Sequence, residues 1–169
     1  NRFFLGGLFK GQYPAEVLEG LEPHLPDGWQ DDFALIGQPL DWLGINYYND
    51  NHLRAQPGGS WSATPGMRDA AGFATGSEHT DMGWPITPHG LRSLLVGLRQ
   101  TYPDLPPVYI TENGCASMDW VHADGRVHDA ARVDFCTRYL VALEKAIADG
   151  VDVRGYFHWS IMDNFEWAE

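Results

Sequence analysis

Three apolar runs divide the chain and predict β-strands. They cover residues 40–48, 108–112 and 153–159, and each is rich in aliphatic and aromatic side chains. Runs of this length and composition, bounded by polar segments, are typical of strands. We therefore expect three strands that are far apart in the sequence.

Two stripes of apolar residues at three- and four-residue steps predict helices between these strands. The first helix follows Pro88, ends at Tyr102-Pro103, and carries Leu91, Leu94, Leu95 and Leu98 on one side. The second is closed by Gly150 as a C-terminal cap and carries Val133, Cys136, Leu140, Leu143 and Ile147. A shorter, earlier helix is expected to begin at Pro14.

The order strand, helix, strand, helix, strand predicts a parallel α/β sheet with right-handed crossovers. One connection departs from this regular order. Residues 49–87 show little periodicity and are rich in Gly, Ser, Ala and Thr. Connections this long inside a compact domain are usually functional or mobile.

Alternation along the strands predicts where polar side chains meet. Side chains at i and i+2 share a face, which groups Trp42, Gly44, Asn46 and Tyr48, then Val108, Ile110 and Glu112, then Gly155, Phe157 and Trp159. Parallel α/β sheets bind ligands at the carboxyl ends of their strands. The residues expected to converge there are Asn46, Tyr48, Glu112 and Trp159. His158 has the opposite parity and is expected to face the helices.

Size and charge narrow the classes of function. The 169 residues are 44% hydrophobic and 13% aromatic, enough for one domain with a substantial core. A formal net charge of −12 argues against nucleic acid and anionic membranes as partners. A neutral or cationic small molecule is the expected partner. No apolar run approaches the roughly 20 residues that a membrane span needs.

The cysteines, histidines and chain ends add further expectations. Cys115 and Cys136 form no disulfide framework and fit a reducing compartment, which favours a cytoplasmic location. The seven His show no paired metal-ligand spacing, so we expect neither a metal nor a cofactor. The chain opens on Asn1 without a Met and stops at Glu169 straight after an aromatic run, and we expect both ends to be cut.

Several motifs together resemble one enzyme family. They are "GINYY" at 44–48, "ITENG" at 110–114 and "WSIMDNFEW" at 159–167, with "NRFFLGGLFKGQYP" at the start and "TDMGWPITPHGL" at 80–91. In this order they resemble the carboxyl-terminal part of a family 1 glycoside hydrolase, the β-glucosidase family. The likeness runs over nearly the whole chain. The long string of aromatic and polar residues at 159–167 does not follow the periodicity of a core helix or strand.

The resemblance implies an eight-stranded (β/α) barrel, of which residues 1–169 form a partial catalytic domain with the last three strands and their helices. It also implies a retaining β-glycosidase that acts on a β-glucoside or related β-glycoside without a cofactor. The nucleophile is then Glu112, and Tyr48 orients it through a hydroxyl that favours the charged carboxylate. The substrate-binding residues implied are Asn46, Trp84, Trp159, Glu166 and Trp167.

One half of the expected chemistry is missing from the sequence. A retaining glycosidase needs a second carboxyl as acid and base, which the family takes from an Asn-Glu-Pro motif, and no Asn-Glu pair occurs in this chain. We therefore expect the chain to be inactive alone. A carbohydrate-binding module without chemistry is the alternative function, and a metal-dependent hydrolase barrel is a third. The sugar (glucose, galactose or fucose), the aglycone and the oligomeric state stay open.

Overall fold

The computed structural model describes residues 2–50, 52–55, 61–64, 78–162 and 164–165. Five strands and five α-helices lie in these ranges. The strands are β1 (Leu43–Asn46), β2 (His52–Ala55), β3 (Trp61–Thr64), β4 (Val108–Asn113) and β5 (Val153–His158). The helices are α1 (Arg2–Lys10), α2 (Ala15–Leu21), α3 (Phe33–Ile36), α4 (Pro88–Thr101) and α5 (Ala130–Ala148), with short 3-10 turns at Glu22–His24 and Trp29–Asp32.

An open parallel sheet organises the structure. Its order is β1–β4–β5, so the strand that carries Glu112 lies in the middle. Leu43 pairs with Val108, and Val108 pairs with Val153, at the amino end of the sheet. All three predicted strands, their parallel pairing and the helices between them are confirmed. The first strand is shorter than predicted, 43–46 instead of 40–48.

The core lies between one face of this sheet and the helices α4 and α5. Val108 and Ile110 from β4 are fully buried there. The predicted stripe of α4 is confirmed, because its buried or partly buried side chains are Leu91, Leu94, Leu95 and Leu98. The other face of the sheet is open, and Trp42, just before β1, and Phe157 on β5 are both more than half exposed.

The predicted buried stripe of α5 was largely wrong. Val133, Leu140 and Ile147 are exposed, and the residues that α5 buries are Phe135, Tyr139, Ala142, Leu143 and Ala146. Two stacked rings, with centroids 4.3 Å apart, fill the space under the helix, and alanines allow its close approach to the sheet. A stripe chosen from aliphatic residues alone misses both. The cap at Gly150 is confirmed, with φ of +93° and its N–H on the Ile147 carbonyl.

Several elements were not predicted from the sequence. The helix α1 lacks a polar side and is held by an aromatic cluster in which Tyr13 stacks between Phe3 and Trp29, with Phe33 at its edge. The hairpin β2–β3 lies within the long connection that follows β1, and residues 56–60 and 65–77 of that connection lie outside the described ranges. Among the helices that the structure describes, none has the length and apolarity to cross a membrane.

Candidate active site

The open face of the sheet is built by the residues that lie between the buried positions of β4. The Thr111 hydroxyl donates to Asn46 Oδ1 at 2.6 Å, and the rings of Tyr109 and Trp42 pack edge to face. Val108 and Ile110, which parity grouped with Glu112, instead lie under the helices. The predicted grouping was therefore wrong for these two residues, since the buried residues of β4 mark its helix side.

An irregularity in β4 brings Glu112 to the site in spite of that parity. Ile45 pairs with Ile110 but Asn46 pairs with Glu112, so β4 carries one extra residue, Thr111, against β1. A β-bulge of this kind changes the direction of the side chains that follow it. The Tyr48 hydroxyl then donates to Glu112 Oε2 at 2.7 Å. The expected contact between Tyr48 and Glu112 is present, but it depends on the β-bulge. Strict alternation of side chains along a strand does not predict it.

The backbone around Tyr48 is fixed on two sides. The N–H of Tyr47 donates to the Glu112 carbonyl at 2.9 Å, and the Tyr139 hydroxyl donates to the Tyr48 carbonyl at 3.1 Å. The phenol ring of Tyr48 meets the indole of Trp84 at near right angles, with centroids 5.3 Å apart. Helix α5, strand β4 and the loop before α4 therefore all contribute to the position of one phenol.

A buried hydrogen-bond network holds the segment that follows β1. The Tyr47 hydroxyl lies 2.8 Å from Asp50 Oδ1 and 2.9 Å from the Thr87 carbonyl, and the Asp50 N–H donates to Thr87 Oγ1. Burial raises the pKa of Tyr47 well above its usual value, so the phenol stays protonated. Gly90 is required at this point, because a Cβ there would overlap both Tyr47 and Asp50.

Trp84 lies on a tight turn that is tied to the loop after Glu112. Thr80 and Trp84 exchange hydrogen bonds across the turn, and Gly83 takes the left-handed conformation with φ of +75°. The N–H of Asp81 donates to the Ala116 carbonyl, and the Asp81 carboxylate accepts from the N–H of Met118. The loop that precedes α4 and the loop that follows β4 therefore form one unit beside Tyr48.

The position of Trp159 is fixed by a hydrogen bond of its backbone. Its N–H donates to the Asn113 carbonyl at 2.9 Å, and its side chain is 43% exposed. The peptide bond from Trp159 to Ser160 is cis. Gly114 packs so closely on the Trp159 carbonyl that any Cβ there would overlap it, which explains the glycine of the "TENG" segment. The carboxyl ends of β4 and β5 are therefore in direct backbone contact.

The predicted site residues thus fall into three groups. Tyr48, Glu112 and Trp84 form a contacting cluster, and Asn46 lies at the same strand ends in contact with Thr111. Trp159 joins them through the backbone of Asn113. Glu166 and Trp167 lie outside the described residues. Sequence reasoning missed the roles of Thr111 and Asn113, whose only signal was their position on either side of Glu112.

His158 faces the helix layer, as predicted from its parity. Its Nδ1 lies 3.5 Å from the Cys136 thiol on α5. Burial and the nearby Arg132 lower the pKa of His158, and burial raises the pKa of Cys136. Thiol and imidazole are therefore both neutral near neutral pH. Within the described ranges, no group of three or more His, Cys, Asp or Glu is arranged to hold a metal ion.

The carboxylate of Glu112 and the phenol of Tyr48 lie at the carboxyl edge of the parallel strands, which is where α/β sheets and barrels carry their active sites. The model of glycosyl hydrolase family 1 matches residues 1–169. The chain belongs to this family, and the resemblance inferred from its motifs is confirmed.

Individual relatives agree with this assignment. The chain is 40% identical to β-glucosidase A of Thermotoga maritima over 98% of its own residues, and 42% identical to a bifunctional β-D-glucosidase/β-D-fucosidase of Bifidobacterium breve over 99%. Among solved structures, the family 1 β-glucosidase from Thermotoga maritima matches all of the chain with a TM-score of 0.85 at 38% identity. A complex of that enzyme with castanospermine matches with a TM-score of 0.84.

The matches also define how much of such a protein is present. The chain spans 35% and 39% of the length of the two relatives and 36% of the solved enzyme. Its sheet is open, with three parallel strands. The predicted fold class, part of a (β/α)8 barrel, is therefore confirmed.

Proposed function

We propose that the full-length protein is a retaining β-glycosidase of the β-glucosidase type, with Glu112 as its nucleophile. The observation that carries the proposal is the 2.7 Å hydrogen bond from Tyr48 to Glu112 at the carboxyl edge of the sheet. A hydroxyl that donates to a carboxylate stabilises its charged form, which is the form that attacks. The relatives named as β-glucosidases support a β-glucoside as substrate.

The first chemical step forms a bond between a Glu112 carboxylate oxygen and the anomeric carbon, while the bond from that carbon to the leaving oxygen breaks. The leaving oxygen takes a proton from a second carboxyl group. In the second step that group, now ionised, takes a proton from water, and the water oxygen displaces Glu112 from the anomeric carbon. Two inversions give net retention, and both carboxyl groups return to their starting states.

The second carboxyl group is proposed to come from chain outside residues 1–169. No Asn-Glu pair occurs in the sequence, and the chain spans little more than a third of its relatives. Two carboxyl groups about 5–5.5 Å apart are needed for retention, so that group would reach Glu112 from across the open face of the sheet.

The remaining site residues are proposed to bind the sugar. Trp159 offers a flat apolar face to the C–H side of a pyranose, Glu166 accepts from hydroxyls, and Trp167 donates its indole N–H. Asn46 adds amide hydrogen bonds at the strand ends. Trp84, packed on Tyr48, is proposed to line the leaving-group side, where an aromatic ring favours an apolar aglycone or a second sugar.

The test is replacement of the proposed nucleophile in the full-length protein. Glu112→Ala should abolish release of an activated phenol from an aryl β-glucoside, and added azide should restore that release with an α-glucosyl azide as product. Azide fits the vacated space and attacks the anomeric carbon once, which inverts it. Glu144→Ala, an exposed glutamate on α5, is the matched control and should keep wild-type activity.

Other outcomes of this experiment decide against the proposal. If Glu112→Ala keeps most of its activity, Glu112 is not the nucleophile. If the wild-type protein binds β-glucosides but releases no phenol, it binds carbohydrate without chemistry, which is the alternative function.

A further inference from the structure

Asn113, the residue after Glu112, is fully buried and bonded to both neighbouring strands. Its Nδ2 donates to the Tyr47 carbonyl at 2.7 Å, and its Oδ1 accepts from the Tyr156 hydroxyl at 2.8 Å. Its backbone carbonyl accepts from the N–H of Trp159. One residue therefore connects the end of β4 to the segment after β1 and to the end of β5.

These bonds lie where the regular ladder of the sheet is interrupted. The register of β4 shifts against β1 between Ile45 and Asn46, and against β5 between Ile110 and Asn113. At such shifts the strand loses regular backbone hydrogen bonds. The amide of Asn113 adds a donor on one side and an acceptor on the other, next to these two register shifts and beside Glu112.

We propose that Asn113 is a positioning residue, which fixes Glu112 relative to Tyr48 and Trp159 without contacting substrate. The inference rests on the proposed function, because it assigns Asn113 a role in that reaction. A displacement of about 1 Å between reacting groups costs about 10²-fold in rate. The side chain at position 113 must both donate and accept, since the Tyr47 carbonyl is an acceptor and the Tyr156 hydroxyl is a donor.

The substitution Asn113→Asp tests this requirement, because it should make the activity of the enzyme depend on the protonation of the new carboxyl group. A protonated carboxyl group can donate to the Tyr47 carbonyl and accept from Tyr156, as the amide does. The ionised carboxylate offers only acceptors and repels the Tyr47 carbonyl. Burial without a cationic partner raises the pKa of a carboxyl group, so the variant should work at low pH and fail as the pH rises.

The ionisable groups around this position do not reverse that expectation. Glu112 on β4 and Asp50 beyond β1 oppose a further negative charge. Burial raises the pKa of Tyr156 and lowers that of His158, its neighbours on β5, so both are neutral near neutral pH. On α5 the nearby groups are Tyr139, Cys136 and Arg132, and Arg132 is bonded to Asp119 and Asp129.

The experiment measures kcat and KM of full-length wild type and Asn113→Asp on an activated aryl β-glucoside from about pH 5 to about pH 9. The ratio of the two kcat values cancels the pH dependence that they share. We expect a ratio near one at the acid end and a fall of about 10²-fold across the range, with little change in KM. A ratio that is flat with pH overturns the inference.

Two controls separate positioning from loss of stability. Val151→Ala removes buried volume at the far end of β5, and its kcat ratio to wild type should be independent of pH. If Asn113→Asp does not fold, Tyr156→Phe decides: loss of its hydroxyl releases Oδ1, so kcat should fall severalfold at unchanged KM, and unchanged kcat overturns the inference. If the full-length wild-type protein is inactive, the proposed function itself is overturned. A kcat ratio that does not change with pH overturns only the role of Asn113.

Discussion

The hydroxyl of Tyr48 lies 2.7 Å from Oε2 of Glu112, although the two residues are 64 positions apart in the chain. The contact joins the segment after β1 to the tip of β4, next to the bulge at Thr111. It restricts the rotation of the carboxylate that we propose as the nucleophile. The backbone bond from Tyr47 to the Glu112 carbonyl supports the same alignment.

Loss of this contact should reduce the rate of the chemical step. In the full-length protein, Tyr48→Phe removes a hydrogen bond to a charged group, worth about 1.5–3 kcal/mol, so kcat should fall about 10- to 100-fold with a smaller change in KM. Steady-state hydrolysis of an aryl β-glucoside measures it. Tyr102→Phe, a buried tyrosine at the end of α4, is the control. An unchanged kcat would show that Tyr48 does not orient Glu112.

Glu166 should act on sugar recognition more than on chemistry. With the proposed role of Glu166, Glu166→Ala leaves substrate hydroxyls without their charged acceptor, which costs about 1.5–3 kcal/mol per bond. kcat/KM should therefore fall much more for a glucoside than for deoxy analogues that lack the hydroxyls that Glu166 is proposed to bind. Equal losses for both kinds of substrate would contradict this placement.

His158 should make stability depend on pH. Its pKa is lowered in the folded state by burial and by Arg132, so the unfolded state takes up the proton at higher pH. The His158 contribution is therefore fully present above the unfolded pKa of about 6.5 and is lost as the pH falls below it. His158→Gln should show a smaller loss of stability on acidification than wild type, measured by denaturant unfolding of the full-length protein. The exposed His24→Gln should follow wild type, and a loss equal to wild type in His158→Gln would contradict this.

Residues 1–169 expressed alone should be inactive and should associate. Strands β1 and β5 each have one neighbour in the described sheet, and Trp42, Phe157 and Trp159 are 43–58% exposed. Unpaired edges and apolar patches of this kind drive association. Near-UV circular dichroism and aryl-glucoside hydrolysis should show a native, active protein only after mixing with the rest of the full-length chain. A monomeric, active fragment would place the proton donor within residues 1–169, with Glu166 the first candidate.

Much of the fold follows from local pattern. Leucine spacing predicted α4 and its buried side, and the apolar runs predicted the three parallel strands. The pattern failed where packing depends on shape: the buried side of α5 is set by the rings of Phe135 and Tyr139. Helix α1 is held by rings outside it, with Phe3 on Tyr13 and Phe9 on Tyr102.

The site shows the same limit. The motifs predicted that Glu112, Tyr48 and Trp84 belong to one site, and these side chains are in contact. Parity, however, placed Glu112 on a face with Val108 and Ile110, which are buried under the helices. The bulge that corrects this direction has no clear signal in "VYITEN", because none of these residues is a glycine. The structural role of Asn113 depends on Tyr47 and Tyr156, which adjoin it only in the folded protein.

The central claim is that Glu112 becomes covalently bound to the sugar, and a trapped intermediate tests it most directly. A β-glucoside with fluorine at C2 and a good leaving group should glycosylate the full-length enzyme and then hydrolyse slowly, because fluorine disfavours the oxocarbenium-like transition state of both steps and the leaving group speeds only the first. Proteolysis and mass spectrometry should then find one added fluoroglucosyl group, on the peptide that contains Glu112 and on that side chain. A group on any other residue, or turnover without a covalent adduct, would contradict the mechanism proposed for this protein.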